Sequence, residues 1–310
     1  MAERHEVDDV LRRVSIFAGR PLRATPIAGG LSHRIWRVDT GGRSYVLRVL
    51  DPAVSAAGLG IPPGQEIANT VTAAASGAGA RVIEVLPDVP ALVIEFLPGR
   101  TLDAVDVHAR VPRIAAACRR LHAGRPFVNE FDILTKQREL RAICARHDLR
   151  VPAGYADRQS TVDTIGAALA ASPIDTVPCH NDLLPANLID LAGDVRIVDY
   201  QLSGNNDPAF ELGDIAAEAD FDPDQAAALA AAYFGTETGP ALVARVRLNL
   251  ILSNVTWTLW FSVHHGLLRT PGSTFDYWAE AAGKWARATR DLDSPELGRL
   301  IAAAAATSYS

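Results

Sequence analysis

Cysteine is scarce in this chain: three residues, Cys118, Cys144 and Cys179, among 310. They are far apart and odd in number, and no metal-ligand spacing links them. That argues against a disulfide framework and leaves reduced thiols in a cytoplasm as the simple reading. Cys179 reads as a small buried apolar residue. No apolar leader opens the chain, because Met1 to Val10 is charged. Long hydrophobic runs are also missing. The most apolar window, Leu248 to Val263, is short for a membrane span and is interrupted by Asn249, Ser253 and Asn254, so it reads as a buried helix. Nor is there an excess of positive charge. The balance of 30 basic against 36 acidic residues, a formal charge of −6, argues against a nucleic-acid surface and suits a cationic ligand. No internal repeat is present, and the one alanine tract, Ala302 to Ala306, reads as a terminal helix.

What is present divides in two. The first third alternates in strand fashion: Leu22 to Ile27, Ile35 to Val38, Ser44 to Leu50, Arg81 to Leu86 and Ala91 to Phe96. In the third of these, Tyr45, Leu47 and Val49 share one face, and Val46, Arg48 and Leu50 share the other. A lead-in helix over Val7 to Phe17 and a second over Gln65 to Ala75 accompany the strands. Leu97-Pro98-Gly99 breaks the pattern. Helical periodicity then dominates: Val111 to His122, Asp132 to Arg146, Ala156 to Ala171, Asp224 to Tyr233, Ala241 to His264 and Phe275 to Leu292. The expected architecture is α+β and bilobal. A small antiparallel β lobe over 1–97 precedes a larger, mainly helical lobe over 98–310.

The stretch CHNDLLPANLIDLAGDVRIVDY carries the chemistry. It offers one histidine (His180), one carboxylate suited to an acceptor hydroxyl (Asp182), and two oxygen ligands for a hard divalent cation (Asn187 and Asp199). Phosphoryl transfer from ATP needs this set. Leu188-Ile189 and Val195 to Val198 read as a hairpin around Gly193-Asp194, which would return Asp199 to the side of Asn187. His180 reads as a brace for the loop rather than a proton carrier.

The stretch resembles the catalytic loop of the aminoglycoside phosphotransferase and choline kinase superfamily, small-molecule relatives of the protein kinases. The run Asp199-Tyr200-Gln201-Leu202-Ser203-Gly204 followed by Asn206-Asp207-Pro208-Ala209-Phe210-Glu211-Leu212-Gly213 extends the likeness, which covers about Ile27 to about Trp285. The resemblance implies a protein-kinase-like fold with ATP and Mg²⁺ as cofactors. It also implies a small-molecule acceptor, with no nucleic-acid partner and no membrane span. It departs at Gln201, where an acidic residue is usual, at His33 in place of a common Asn, and at Ala219, where choline kinases often carry Trp.

Gly29, Gly30 and Ser32 form a candidate phosphate-covering loop between strands. Arg48 is the candidate phosphate-binding cation, with Glu66 as its ion-pair partner. Glu95 and Leu97 mark the hinge that would meet an adenine. On the acceptor side, the resemblance assigns Glu211 and Glu218 to the counter-charge of a cationic head group, and Trp257 and Trp260 to its aromatic wall. Core packing explains the two tryptophans equally well. Choline or ethanolamine leads as acceptor. Thiamine, an aminoglycoside or another amino alcohol or sugar follows. A non-catalytic ligand-binding module of the same fold is the reading from a different class.

Overall fold

The structure is a computed structural model that describes residues 2–27, 33–86, 88–268 and 274–306. The candidate glycine loop, Gly29, Gly30 and Ser32, lies outside the described residues. Helix α1 (Ala2–Arg13) leads into strands β1 (Arg23–Pro26), β2 (Arg34–Thr40) and β3 (Arg43–Val49), short helix α2 (Pro52–Ala56), helix α3 (Pro63–Ser76), and strands β4 (Val82–Leu86) and β5 (Ala91–Glu95). The strands form one antiparallel sheet in the order β1-β2-β3-β5-β4. The two-residue alternation of β3 sorts its side chains as expected. Leu47 and Val49 pack with Val10 and Phe17 beneath α1, whereas Leu50 and Val46 join Ala80, Leu92 and Ile67 on the opposite face. Arg48 shares that second face, only 3% exposed. The lead-in helix ends at Arg13, and Ser15–Phe17 is a separate 3-10 turn.

After β5 the chain adds β6 (Arg100–Thr101) and becomes mainly helical. It continues through α4 (Ala104–Ala109), α5 (Val111–His122), α6 (Ile133–Arg146), α7 (Gln159–Ala171), β7 (Val177–Cys179), β8 (Leu188–Asp190), β9 (Val195–Ile197), β10 (Gly204–Asn206), α8 (Pro208–Glu218), α9 (Pro223–Phe234), α10 (Pro240–Leu267), α11 (Tyr277–Leu292) and α12 (Leu297–Ala305). Helix α10 runs through the centre and packs against α6, α8, α11 and α12. It is buried nearly all round along 244–260. That explains an apolar window without a membrane. Among the described residues no helix is long and apolar enough to cross one. Gly213 allows the close approach of α8 to α10, since a Cβ there would meet Val246 O and Asn249 Cβ at 2.7 Å.

Helices α2, α4 and α8 are elements that the periodicity did not announce, and α8 is the longest of them. The start of α8 is nevertheless written locally. Asp207 caps it by accepting from the Ala209 N–H, and Pro208 occupies the first turn. The β6-β8-β9 and β7-β10 ladders are two or three residues long. Such short strands form only because the surrounding helices bring them together.

Candidate active site

Strand β7 ends at Cys179, and the loop that follows is fastened at every amide over four successive residues. His180 N–H and Asn181 N–H donate to the two oxygens of Glu211, at 2.8 and 2.7 Å. Asp182 N–H donates to His180 Nδ1 at 3.2 Å, and Leu183 N–H to Asp214 Oδ2 at 2.8 Å. The acceptor role of Nδ1 leaves the imidazole proton on Nε2, which donates to Val198 O at 2.9 Å. Burial holds His180 below the usual histidine range. A neutral, doubly bonded ring braces the loop.

Asn181 adopts φ +67°, a left-handed conformation that Asn tolerates better than most residues. Its side chain is fully engaged. Nδ2 reaches Leu202 O at 3.1 Å, and Oδ1 accepts from Asn206 Nδ2 at 2.8 Å. The sequence reading passed over this residue. Its signal was only the Asn between His180 and Asp182.

The β8–β9 hairpin brings the two candidate metal ligands together. Leu188 pairs with Ile197, and Val198 N–H donates to Asn187 O at 3.0 Å. Asp199 follows immediately, at φ +72°. Asn187 Nδ2 donates to Asp182 O at 2.9 Å, which turns the amide oxygen the other way. Strained backbone at Asn181 and Asp199 costs of order 1–3 kcal/mol each, and the dense bonding of the loop sustains it.

Arg48 spans from the sheet to this hairpin. Its Nη2 hydrogen-bonds Asp199 Oδ1 and lies 3.0 Å from Glu66 Oε1. Burial acts against the Asp199 carboxylate, but Arg48 outweighs it and holds the group below the usual range. Gln201, which departs from the family pattern, is tied to the segment that follows α2. Its Nε2 donates to Leu59 O at 2.9 Å, and Ile61 N–H donates back to Gln201 O at 2.9 Å. A carboxylate has no N–H for the first of these bonds, so Gln fits the place.

At the hinge, the Glu95 N–H donates to Arg81 O and its carboxylate accepts from Arg81 N–H, at 2.9 and 2.8 Å. Leu97 O accepts from Gly99 N–H at 2.9 Å. Other backbone groups of that segment would have to meet a base.

The acceptor side requires corrections. Glu211 is fully buried and its oxygens are taken by the loop amides. Its carboxylate faces those amides and not solvent. Burial acts to raise its carboxyl, but a bond from His122 and the nearby imidazoles hold it below the usual range. Trp257 and Trp260 are 3% and 7% exposed and belong to the core cluster, so they form no open aromatic wall. Trp257 Nε1 donates to Asp214 Oδ1 at 2.7 Å, and Trp260 Nε1 to Leu59 O at 2.9 Å. Glu218 keeps some exposure and is paired with Lys284 of α11.

Two residues missed by the sequence reading, Asp214 and Lys284, complete the charged group. Asp214 accepts from Leu183 N–H, Ser253 Oγ and Trp257 Nε1. Its spacing was legible, because Glu211, Asp214 and Glu218 stand on one face of a helix. Lys284 was flagged only by being one of two lysines in an arginine-rich chain. Burial and then the charges of Asp214, Glu218 and Asp199 raise the Asp182 carboxyl well above the aspartate range, with Lys284 opposing. Burial, then Glu218, pushes Asp214 up to about 7.

The profile of the phosphotransferase enzyme family matches residues 23–245. Protein LicA of Haemophilus influenzae is 34% identical over 98 residues, 29% of this chain and 36% of that protein. The chain thus spans about a third of the length of the curated relatives it matches. A choline/ethanolamine kinase family protein from Mesorhizobium loti superposes with a TM-score of 0.83 at 28% identity, covering 98% of this chain and 99% of that one. The choline kinase LicA from Streptococcus pneumoniae does so at 0.76 and 19% identity, covering 93% and 99%. The fold is therefore the protein-kinase-like α+β arrangement expected from the sequence, a sheet lobe with a larger helical portion.

Proposed function

The chain belongs to the phosphotransferase enzyme family, and on that premise we propose that it transfers a phosphoryl group from ATP, with Mg²⁺, to the hydroxyl of a small cationic metabolite, choline or ethanolamine. What supports this reading is that Asn187 bonds the Asp182 backbone through its side chain and Val198, next to Asp199, through its carbonyl, with Arg48 reaching Asp199 from the sheet. We assign the nucleotide side to residues 1–97 and the acceptor side to residues 98–310. The three cysteines, all buried free thiols, support a reducing, cytoplasmic setting.

The residues suit the cofactors. An amide oxygen and a carboxylate are the hard donors that magnesium prefers, and Asn187 and Asp199 would hold it. Bound ATP with its metal supplies the transferable group and neutralises charge on it. Asp182 accepts the hydrogen bond, and then the proton, of the incoming hydroxyl. Burial and the neighbouring carboxylates raise its affinity for that proton. Arg48, held by Glu66, turns its fixed positive charge toward phosphate oxygens. Glu218 and the carboxylates beside it offer counter-charge to an ammonium group. Trp257 acts one step back, through Asp214 and the Leu183 amide.

The test is ADP formation by purified protein with Mg²⁺ across a panel of choline, ethanolamine, thiamine, aminoglycosides and neutral sugars. ADP formed with choline or ethanolamine is the expected result. Turnover confined to another acceptor moves the substrate assignment to it. Ligand binding without turnover on any member overturns the enzyme reading in favour of a binding module.

A further inference from the structure

His33 is almost fully buried, with a side chain 4% exposed, and it stands between the sheet and α3. Both ring nitrogens are used. The Asp51 N–H donates to Nδ1 at 3.0 Å, so the ring proton resides on Nε2. That Nε2–H points at Glu66 Oε2, 3.1 Å away. Glu66 is itself 1% exposed, and its other oxygen lies 3.0 Å from Arg48 Nη2 without hydrogen-bond alignment. A buried carboxylate held by an unaligned ion pair alone is free to swing and carries a heavy desolvation cost. The aligned bond from His33 stops that swing and fixes which oxygen faces Arg48.

We infer that His33 is a positioning residue for the nucleotide side. It sets Glu66, and through Glu66 the guanidinium of Arg48, for phosphate binding. The inference rests on the phosphotransferase reading above. His33 precedes β2 and is anchored to Asp51, so one side chain ties the start of that strand to the phosphate-binding cation. An Asn, common at this position in relatives, reproduces only Nδ1. It is too short to deliver a proton to Glu66. Gln is long enough to place an N–H near the Nε2 position.

The experiment compares His33→Gln, His33→Asn and His33→Leu by calorimetric titration with Mg²⁺ and a non-hydrolysable ATP analogue, without acceptor. KM values for ATP and for the acceptor, and thermal midpoints, are measured alongside. The Leu and Asn variants should bind the analogue about tenfold more weakly, since a hydrogen bond to a charged group is lost, with the acceptor KM unmoved. The Gln variant should recover most of the affinity. Equal affinity for Asn, Gln and wild type overturns the role of His33 while leaving the phosphotransferase reading intact. A loss in Gln as deep as in Asn also overturns it, and this pair remains decisive if the Leu variant does not fold. Wild-type protein that binds no nucleotide overturns the reading beneath it.

Discussion

Lys284 on α11 and Glu218 on α8 form an ion pair although the lysine side chain is only 1% exposed. Breaking a buried pair leaves one uncompensated charge, at a cost of about 3 kcal/mol. Lys284→Met should therefore lower stability by roughly that much in urea unfolding. The double variant Lys284→Met/Glu218→Gln should recover most of the loss. The same lysine charge lowers the proton affinity of Asp182 and Asp214. Removing it should move the acid limb of the kcat profile to higher pH, and an unmoved limb removes Lys284 from the electrostatics of the site.

The roles proposed for Asp182 and Asn187, base and metal ligand, are separable by mutation. Asp182→Asn should reduce kcat by about 10²–10⁴-fold, the worth of a positioned base, with nucleotide affinity largely kept. Asn187→Ala should instead raise the Mg²⁺ concentration needed for half-maximal rate. Identical metal dependence in the two variants would show that the oxygens do not share the roles assigned.

Glu211 is expected to act on the loop rather than on any ligand. Glu211→Gln puts an N–H₂ where an amide donor of His180 or Asn181 needs an acceptor, leaving a buried donor unpaired at about 1–3 kcal/mol. Hydrogen exchange at residues 180–183 should accelerate and kcat should fall, with little change in KM for the acceptor. A selective rise in acceptor KM would restore the ligand-facing role that its burial denies.

Glu84 governs an acid-side stability step far from the site. Partial burial acts to raise its carboxyl, but bonds from Ser15 N–H and Ser15 Oγ, each 2.8 Å, and from Ile16 N–H at 3.2 Å hold it below the usual range. Its folded pKa is thus lower than its unfolded value of ~4.3. The stabilisation is present above that value and is lost as pH falls through the folded pKa. Glu84→Gln should flatten this part of the stability curve between pH 5 and 3 in urea titrations (about two units spanning ~4.3).

Much of this molecule was legible along the chain because its signals are local. Helix α5 occupies the residues its periodicity marked, and β3 sorts Leu47 from Arg48 by alternation alone. The hairpin from Leu188 to Ile197 follows from two short apolar runs and a turn. The bond from Val198 N–H to Asn187 O, one residue before Asp199, was readable because the hairpin that makes it is local.

Other assignments depended on contacts that no window of sequence contains. Glu211, Trp257 and Trp260 have the residue types of a cationic-ligand site, and the chain alone left their direction undecided. Helix packing turned them inward, where the loop amides, Asp214 and Leu59 O satisfy them. Lys284 meets Glu218 across 66 positions and Arg48 meets Asp199 across 151. Residue type and spacing therefore settled which chemistry the chain carries, since donors and ligands are properties of side chains. Which of them are buried and how they are paired was decided by the tertiary structure, because burial and charge pairing are properties of neighbours brought together only by folding.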